Sequence, residues 1–182
     1  MDAQRNMEQH DSHLNITPVQ PADIQSLVEL FLLVERQHEQ YWPVRWALRP
    51  DIEARYTRWI TNYCQNPDWL FITAQRTVRH AVNAVPAPAY EIIGGLAASV
   101  LEEIPIYQFT HYAFLHDLVV RTEARRQGVG HALIDYARQW AKTKGVNQLR
   151  LMVAESNAPA RALFAQYGFR STYREMVLPI AP

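Results

Sequence analysis

One stretch constrains this chain more than any other, Leu118 to Lys144, with the sequence LVVRTEARRQGVGHALIDYARQWAKTK. It opens with an apolar, β-branched run that is typical of the end of a buried strand. A polar turn and the sequence GVG follow. The next apolar residues recur at i, i+4, i+7 and i+8, which predicts a helix with one apolar face; they are Leu133, Ala137, Trp140 and Ala141. Gly145 lies where a left-handed residue would end that helix.

A strand, a glycine turn and a helix together favour an anion-binding site. The first turn of a helix has amide groups without internal partners, and the helix dipole adds about half a positive charge there. Glycines allow a ligand to approach the backbone closely because they have no Cβ atom. Arg125 and Arg126 add two cations beside the turn. A phosphate or pyrophosphate group is therefore the expected ligand.

The glycine turn does not match the common nucleotide-binding motifs. The chain contains no GxxxxGK[ST] sequence, and the dinucleotide motif GxGxxG fails at its third glycine, where Leu133 stands. The simpler alternative is a strand-to-helix turn whose glycines only allow close packing.

The pattern Arg125-x-x-Gly128-x-Gly130 after a strand resembles the acetyl-CoA pyrophosphate loop of the GNAT acetyltransferase superfamily. The segments HDLVV, LRLMV and ARALFAQYGF lie around it in the family's order. The resemblance is specific from about Tyr112 to Phe169 and rests on element order alone from Ile16 onward. It implies an α/β (α+β) fold with a GNAT-like mixed, mostly antiparallel central sheet of six to seven strands, flanked by about four helices. It also implies acetyl-CoA (coenzyme A) as the cofactor.

Periodicity and turn residues divide the rest of the chain. Residues 1–14 are polar and predict a flexible tail, followed by a single domain over residues 15–182. The expected strands are 15–19, 69–74, 90–100, 112–120, 148–153 and a final strand or hairpin at 169–178, with a loop at 77–89. Helices are expected at 21–35, from about 50 to 63, after the glycine turn, and from about 159 to 167. Glycines inside the 90–100 strand indicate a bulge or a close backbone approach.

Composition narrows the classes of protein. The 182 residues carry 18 basic and 18 acidic side chains, so a basic nucleic-acid-binding surface is not indicated. No apolar run approaches the roughly 20 residues of a membrane span, and the polar N-terminus lacks the apolar core of a signal peptide. Cys64 is the single cysteine, and no Cys/His spacing indicates a metal site. We therefore expect a cytoplasmic protein that binds neither nucleic acid nor membrane, with no metal.

The resemblance also implies which residues bind the cofactor. Amides between about Arg126 and Gly130 would receive the pyrophosphate, and the strand edge before them would pair with the pantetheine arm. A backbone N–H near Leu118 or Val119 would then face the thioester carbonyl. Asn157 matches a family asparagine that contacts the cofactor arm, and it is equally suited to be a helix N-cap. The full set is Leu118, Val119, Val120, Arg125, Arg126, Gln127, Gly128, Val129, Gly130 and Asn157.

Two neighbouring residues are candidates for the base that deprotonates an amine, His116 and Asp117. Strand alternation predicts that they lie on opposite faces. An imidazole titrates near neutrality, but His116 is equally well read as a structural histidine. For reprotonation of the thiolate, the family's usual tyrosine is replaced by Phe164. Tyr167 is the substitute candidate, and packing at the helix end is the alternative.

The acceptor amine is less constrained by the sequence. In such folds the first two helices, their linker and the loop before the central strand form the acceptor groove. Aromatic and acidic residues in these segments suit a small cation such as a polyamine, an amino acid amine or an aminoglycoside, or else belong to the core; they are Tyr41, Trp42, Trp46, Glu102, Glu103 and Tyr107. A peptide amine is also compatible.

The function expected from the resemblance is transfer of an acetyl group from acetyl-CoA to a primary amine of a small molecule or peptide, directly within a ternary complex. The alternatives are a non-catalytic acyl-CoA-binding sensor and a structural partner domain that binds no CoA. A homodimer formed through the last strand is plausible.

Overall fold

The computed structural model describes residues 14–77 and 90–180. Along the chain these residues form β1 (Leu14–Pro18), α1 (Ile24–Tyr41), α2 (Pro43–Trp46), α3 (Ile52–Tyr63), β2 (Trp69–Thr77), β3 (Tyr90–Glu102), β4 (His111–Val120), α4 (Val129–Thr143), β5 (Leu149–Leu151) and α5 (Ala158–Tyr167). Short 3₁₀ turns at Pro21–Asp23 and Thr122–Ala124 precede α1 and α4. The predicted tail at 1–14, apart from its last residue, and the predicted loop at 77–89, apart from its first residue, lie outside the described residues.

The strands form one sheet in the order β1-β2-β3-β4-β5. Successive strands from β1 to β4 are antiparallel, while β4 and β5 are parallel because α4 connects them. The predicted mixed, mostly antiparallel sheet is therefore confirmed. The described residues contain five strands rather than six or seven, and five α-helices rather than about four, because α2 adds a short turn after Trp42.

The predicted final strand at 169–178 is wrong, since residues 168–180 have no regular structure. A strand needs a neighbouring edge for its amide and carbonyl groups. The strand β5 is only three residues long and offers little edge. Beyond Phe169, the large apolar side chains of this segment are consequently solvent-exposed: Met176 is 88% and Leu178 is 85% exposed.

Helices cover both faces of the sheet. One buried cluster joins α1 and α3 to the sheet through Leu27, Phe31 and Ile60, and a second joins α4 through Leu133 and Ala137. The two glycines of β3 lie between these layers: a Cβ at Gly94 would stand 2.9 Å from the Val119 carbonyl oxygen, and one at Gly95 would stand 2.2 Å from Leu27. The predicted close approach is confirmed, and the β2–β3 register shifts beside Gly94.

Candidate functional site

The strand β4 carries a bulge at His116. On β3, Ala97 pairs with Asp117 while the next residue, Ala98, pairs with Leu115, so His116 has no partner opposite it. A bulge of this kind adds one residue to a strand and changes the direction in which side chains point. The regular alternation of β4 is therefore interrupted between Leu115 and Asp117.

The strands β4 and β5 pair over only a short distance. The parallel ladder joins Ala113, Phe114 and Leu115 to residues 149–151, and β5 ends there while β4 continues to Val120. Among the described residues, the edge of β4 from His116 to Val120 therefore has no strand partner on the β5 side. This edge includes the predicted residues Leu118 and Val119.

The glycine turn connects this free edge to α4. Gly128 is the N-cap of α4 with a φ of 82°, and Arg126 also adopts a left-handed conformation with a φ of 61°. A left-handed φ strains residues with a Cβ atom, which explains the glycine at position 128. Within the described residues, no hydrogen bond occupies the amide groups of residues 126–130. A Cβ at Gly128 would meet nothing within 4 Å, so the surface of the turn is open at this point.

Side chains of the turn hold its backbone in place. The Arg125 Nε atom donates to the Val120 carbonyl at 3.2 Å, and the Gln127 amide donates to the Glu123 carbonyl at 2.7 Å. Val129 is buried against the second core cluster, and Gly130 lies close to Leu163 of α5. The side chains of Arg125 and Arg126 are exposed beside the open amides. Backbone donors with two neighbouring cations form an anion-binding surface.

His116 lies among aromatic rings. Its Nε2 atom is 2.8 Å from the Ser99 hydroxyl, and its ring stacks on Trp69 at 5.0 Å between centroids. The rings of Trp59 and Phe114 are 5.8 and 5.1 Å away. Part of the side chain stays exposed, but the loss of hydration among these rings lowers the pKa of His116 to about 4. His116 is therefore a neutral imidazole at neutral pH.

Asp117 is buried on the same side of the sheet. Its Oδ1 atom lies 3.4 Å from the Tyr56 hydroxyl of α3, and α3 also supplies Trp59 beside His116. The prediction of opposite faces is thus wrong, because the bulge turns both side chains towards α3. Burial raises the pKa of the Asp117 carboxyl to about 7, with a further upward contribution from the charge of Glu35. In the described residues, no Lys, Arg or His side chain forms a salt bridge with it.

Tyr167 packs against α4. Its hydroxyl donates to Asp135 at 2.6 Å, and its ring lies 5.9 Å from both His131 and Phe169. Partial burial and the hydrogen bond to Asp135 raise the pKa of Tyr167 to about 12. Phe164 is buried and packs against Phe169. This geometry favours the packing interpretation of Tyr167, since its hydroxyl proton already forms a hydrogen bond with the Asp135 carboxylate.

Asn157 forms the N-cap of α5. Its side-chain oxygen accepts a hydrogen bond from the Ala160 amide at 3.2 Å. The cap occupies this oxygen and leaves the amide nitrogen available. Asn157 therefore fits the N-cap interpretation and remains compatible with a ligand contact.

The predicted acceptor residues divide into two groups. Tyr41, Trp42 and Trp46 lie at the junction of α1 and α2, where the Trp46 ring stacks on His38 at 5.5 Å. Glu102 and Glu103 lie at the opposite end of β4 from the glycine turn, and Glu103 pairs with Arg150. Tyr107 is 56% exposed in the loop between β3 and β4. None of the hydrogen bonds, ion pairs or ring contacts of the described residues joins the first group to the second.

Sequence reasoning missed the groups that surround His116 and Asp117. The sequence pattern identified Tyr56 and Trp59 only as apolar positions of a helix, and it identified Trp69 only as a strand residue. Glu35 was the last residue of a predicted helix, yet the Tyr56 hydroxyl donates to it at 2.9 Å. Nothing in the linear sequence relates these positions to β4, since Tyr56 and Asp117 are 61 residues apart.

Two searches of the described residues concern other kinds of site. In residues 14–77 and 90–180, no three His, Cys, Asp or Glu side chains come together in a way that could hold a metal ion. None of the helices in this part of the chain combines the length and the apolar character that a bilayer crossing requires.

Known proteins resemble this chain in sequence and in fold. The sequence model of the acetyltransferase (GNAT) family matches residues 33–169. A streptothricin acetyltransferase of Escherichia coli is 37% identical over 57 residues, which cover 31% of this chain and 33% of that protein, so the match spans about a third of its length.

Two solved structures share the fold over nearly the whole chain. A transcriptional regulator from Bacillus halodurans C-125 has a TM-score of 0.67 at 20% identity, covering 92% of this chain and 100% of its own. Aminoglycoside N-acetyltransferase AAC(6')-Iy in complex with CoA has a TM-score of 0.69 at 17% identity, covering 94% of this chain and 97% of its own.

Proposed function

Because the chain belongs to the acetyltransferase (GNAT) family, we propose that it transfers an acetyl group from acetyl-CoA to a primary amine, directly within a ternary complex. The observation that carries the proposal is the continuity of two features. The unpaired amides of residues 126–130 are separated by one short turn, residues 121–125, from the strand edge from His116 to Val120 that lacks a partner. An elongated ligand with a diphosphate at one end and an extended arm fits this combination.

The residues of the turn and strand divide the binding of acetyl-CoA between them. The amides from Arg126 to Gly130 hold the diphosphate, with the cations of Arg125 and Arg126 beside it. The free edge from Leu118 to Val120 pairs with the pantetheine arm as an added strand would. Asn157 contributes its amide nitrogen from the start of α5. Acetyl-CoA supplies a thioester whose acyl carbon accepts the amine.

Asp117 is the better candidate for the base. A general base works best when its pKa lies near the working pH, and the pKa of Asp117 is raised to about 7 while that of His116 is lowered to about 4. Asp117 takes a proton from the ammonium group, directly or through one water molecule. His116 is held in place by Ser99 and Trp69 and forms part of the surface beside Asp117. The second N–H proton, released as the amide forms, passes through water to the thiolate, because the Tyr167 hydroxyl is hydrogen-bonded to Asp135.

The acceptor that we propose is a small polyamine-like or antibiotic amine. The match with a streptothricin acetyltransferase and the fold of an aminoglycoside N-acetyltransferase support this class. The aromatic rings near His116 and at the junction of α1 and α2 are suited to bind a cation or a sugar face. A peptide amine is the second class to test.

A non-catalytic acyl-CoA sensor is the second candidate function. One observation favours it: Phe164 is buried and Tyr167 donates to Asp135, so neither side chain offers a free proton to a thiolate.

Thiol release from acetyl-CoA over a panel of amines separates the two functions. The panel contains streptothricin, an aminoglycoside, spermidine and a peptide with a free N-terminus. We expect amine-dependent release of CoA with at least one antibiotic amine, in excess of one thiol per chain, because Cys64 can contribute one. A thermal shift with CoA in the same preparation reports binding, since a ligand at 100 times its Kd adds about 2.7 kcal/mol to stability. If CoA binds but no amine of the panel is acetylated, the result would support the sensor and refute the transferase.

A further inference from the structure

Three oxygen-bearing side chains from three elements meet beneath the bulge of β4. The Tyr56 hydroxyl of α3 lies 2.9 Å from Glu35 Oε1 of α1 and 3.4 Å from Asp117 Oδ1 of β4. Glu35 is partly exposed and has His38 Nδ1 3.9 Å from its other oxygen, whereas Asp117 is only 7% exposed. Among the described residues, Tyr56 is thus the one hydrogen-bonding bridge between an outer carboxyl group, Glu35, and an inner one, Asp117.

One hydroxyl proton cannot serve both carboxylates fully. A tyrosine donates one hydrogen bond, and Tyr56 keeps its proton because burial and the two neighbouring acids raise its pKa. Burial also raises the pKa of Glu35, but the nearby His38 and the hydrogen bond from Tyr56 outweigh this, so its pKa lies below the usual value. Glu35 is therefore the ionised member of the pair near neutral pH, and its charge disfavours a second charge on Asp117.

We propose that Glu35 and Tyr56 are positioning residues for Asp117, and that they set its readiness to accept a proton by sharing one hydroxyl between two carboxyl groups. When Asp117 takes a proton from the ammonium group of the acceptor, the nitrogen keeps the electron pair of the N–H bond. The Tyr56 hydroxyl then turns wholly to Glu35. This inference rests on the proposed function for the identity of the proton donor, but the sharing itself is a property of the protein alone.

Besides burial, three neighbouring groups act on the charge of Asp117: Glu35, His38 and Tyr56. From α1, Glu35 and His38 face it, and His38 favours its charged form. From α3, Tyr56 faces it, and from β3 its partner is Ala97, which carries no charge. On its own strand, the adjacent His116 is neutral and bound to Ser99.

The two positioning residues change the pKa of Asp117 in opposite directions, which gives a sharp test. Replacement of Glu35 by Gln removes a negative charge and should lower the pKa of Asp117, while Tyr56→Phe removes a donor to its carboxylate and should raise it. The pKa of Asp117 is measured by carbon-13 NMR titration of aspartate-labelled protein without substrate, with Asp117→Asn to assign the signal. We expect shifts of about one pH unit in each direction, as is usual for the loss of one neighbouring charge or hydrogen bond. The acid limb of kcat/KM should move in the same two directions.

Matched controls lie on the same helices. Glu29→Gln changes an exposed glutamate of α1, and Tyr63→Phe removes an exposed hydroxyl of α3, so neither should move the Asp117 signal. An Asp117 pKa that is equal in wild type, Glu35→Gln and Tyr56→Phe would overturn the inference. If Tyr56→Phe does not fold, Glu35→Gln decides alone, because Glu35 lies at the surface of α1. Opposite NMR shifts without turnover on any amine would support the inference while the proposed function fails.

Discussion

The C-terminal end of β4 has two flanks, one on the side of α4 and one on the side of α1 and α3. The two flanks are formed by different parts of the residues. On the side of α4, backbone amides form the proposed CoA-binding surface, and all of them belong to five consecutive residues, 126–130. On the side of α1 and α3, side chains form the surface, and Glu35, Tyr56 and Asp117 come from three separate elements. A backbone site depends on local conformation and tolerates changes of side chain. A side-chain site depends on the identity of each residue and on the packing that holds it.

The two flanks should therefore respond differently to substitution. Changes at Asp117 should remove chemistry and leave CoA binding intact, while changes of backbone conformation at Gly128 should weaken CoA binding and leave the base intact.

The largest effect is expected for Asp117→Asn. The amide has nearly the same shape but cannot accept a proton, so kcat/KM for the best amine should fall by about 10²- to 10⁴-fold, the usual contribution of a general base. The thermal shift with CoA should stay as in wild type. His116→Gln, which keeps a hydrogen-bonding group near Ser99, should lose less than about tenfold in kcat/KM, because a neutral imidazole of low pKa is a weak base. A larger loss for His116→Gln than for Asp117→Asn would assign the base to His116.

Asp117→Asn should lower activity but increase the stability of the fold at neutral and higher pH. The pKa of Asp117 rises from 3.8 to about 7 in the folded chain. Between these values the folded chain holds a proton that the unfolded chain releases, so the free energy of unfolding falls as the pH increases. Asp117→Asn removes this dependence. Its stability relative to wild type should therefore improve by roughly 3–4 kcal/mol between pH 4 and pH 8, as an upper figure.

Urea unfolding at several pH values measures this difference. The control is Asp68→Asn, since Asp68 is exposed and its pairing with Lys144 is worth at most about 1 kcal/mol. Its difference from wild type should stay nearly flat over the same range. A difference between Asp117→Asn and wild type that stays flat over this range would show that the pKa of Asp117 is not raised in the folded chain.

The contrast between the flanks also explains which features could be predicted from the sequence and which could not. The glycine turn and α4 were predicted within about one residue, because turn residues and helix periodicity act over short distances. Asp117 was a candidate, but its environment was not predicted, since Tyr56 is 61 residues away and nothing in its own helix pattern marks it. The position of the bulge at His116 was not predicted, because a strand sequence looks the same with or without an extra residue.

The final strand shows the same limit from the opposite direction. The sequence from Phe169 to Leu178 has the composition of a strand, but strand formation depends on a partner edge that no local pattern specifies. With β5 reduced to residues 149–151, the segment remains irregular, and beyond Phe169 its apolar side chains are exposed.

The smallest of the three effects should come from Gly128→Ala, and it tests the backbone flank. Gly128 and Gly145 lie at the two ends of α4, both with a left-handed φ, at 82° and 70°, and a Cβ at either would meet nothing within 4 Å. Alanine at either position should therefore destabilise the chain by a similar amount, about 1–2 kcal/mol. Only Gly128→Ala alters the amides that we propose to hold the diphosphate, so CoA affinity should fall by about tenfold, or about 1.4 kcal/mol. Gly145→Ala should bind CoA as wild type does. Calorimetric titration with CoA compares them, and equal affinities would show that the conformation at Gly128 serves the fold of α4 and not the ligand.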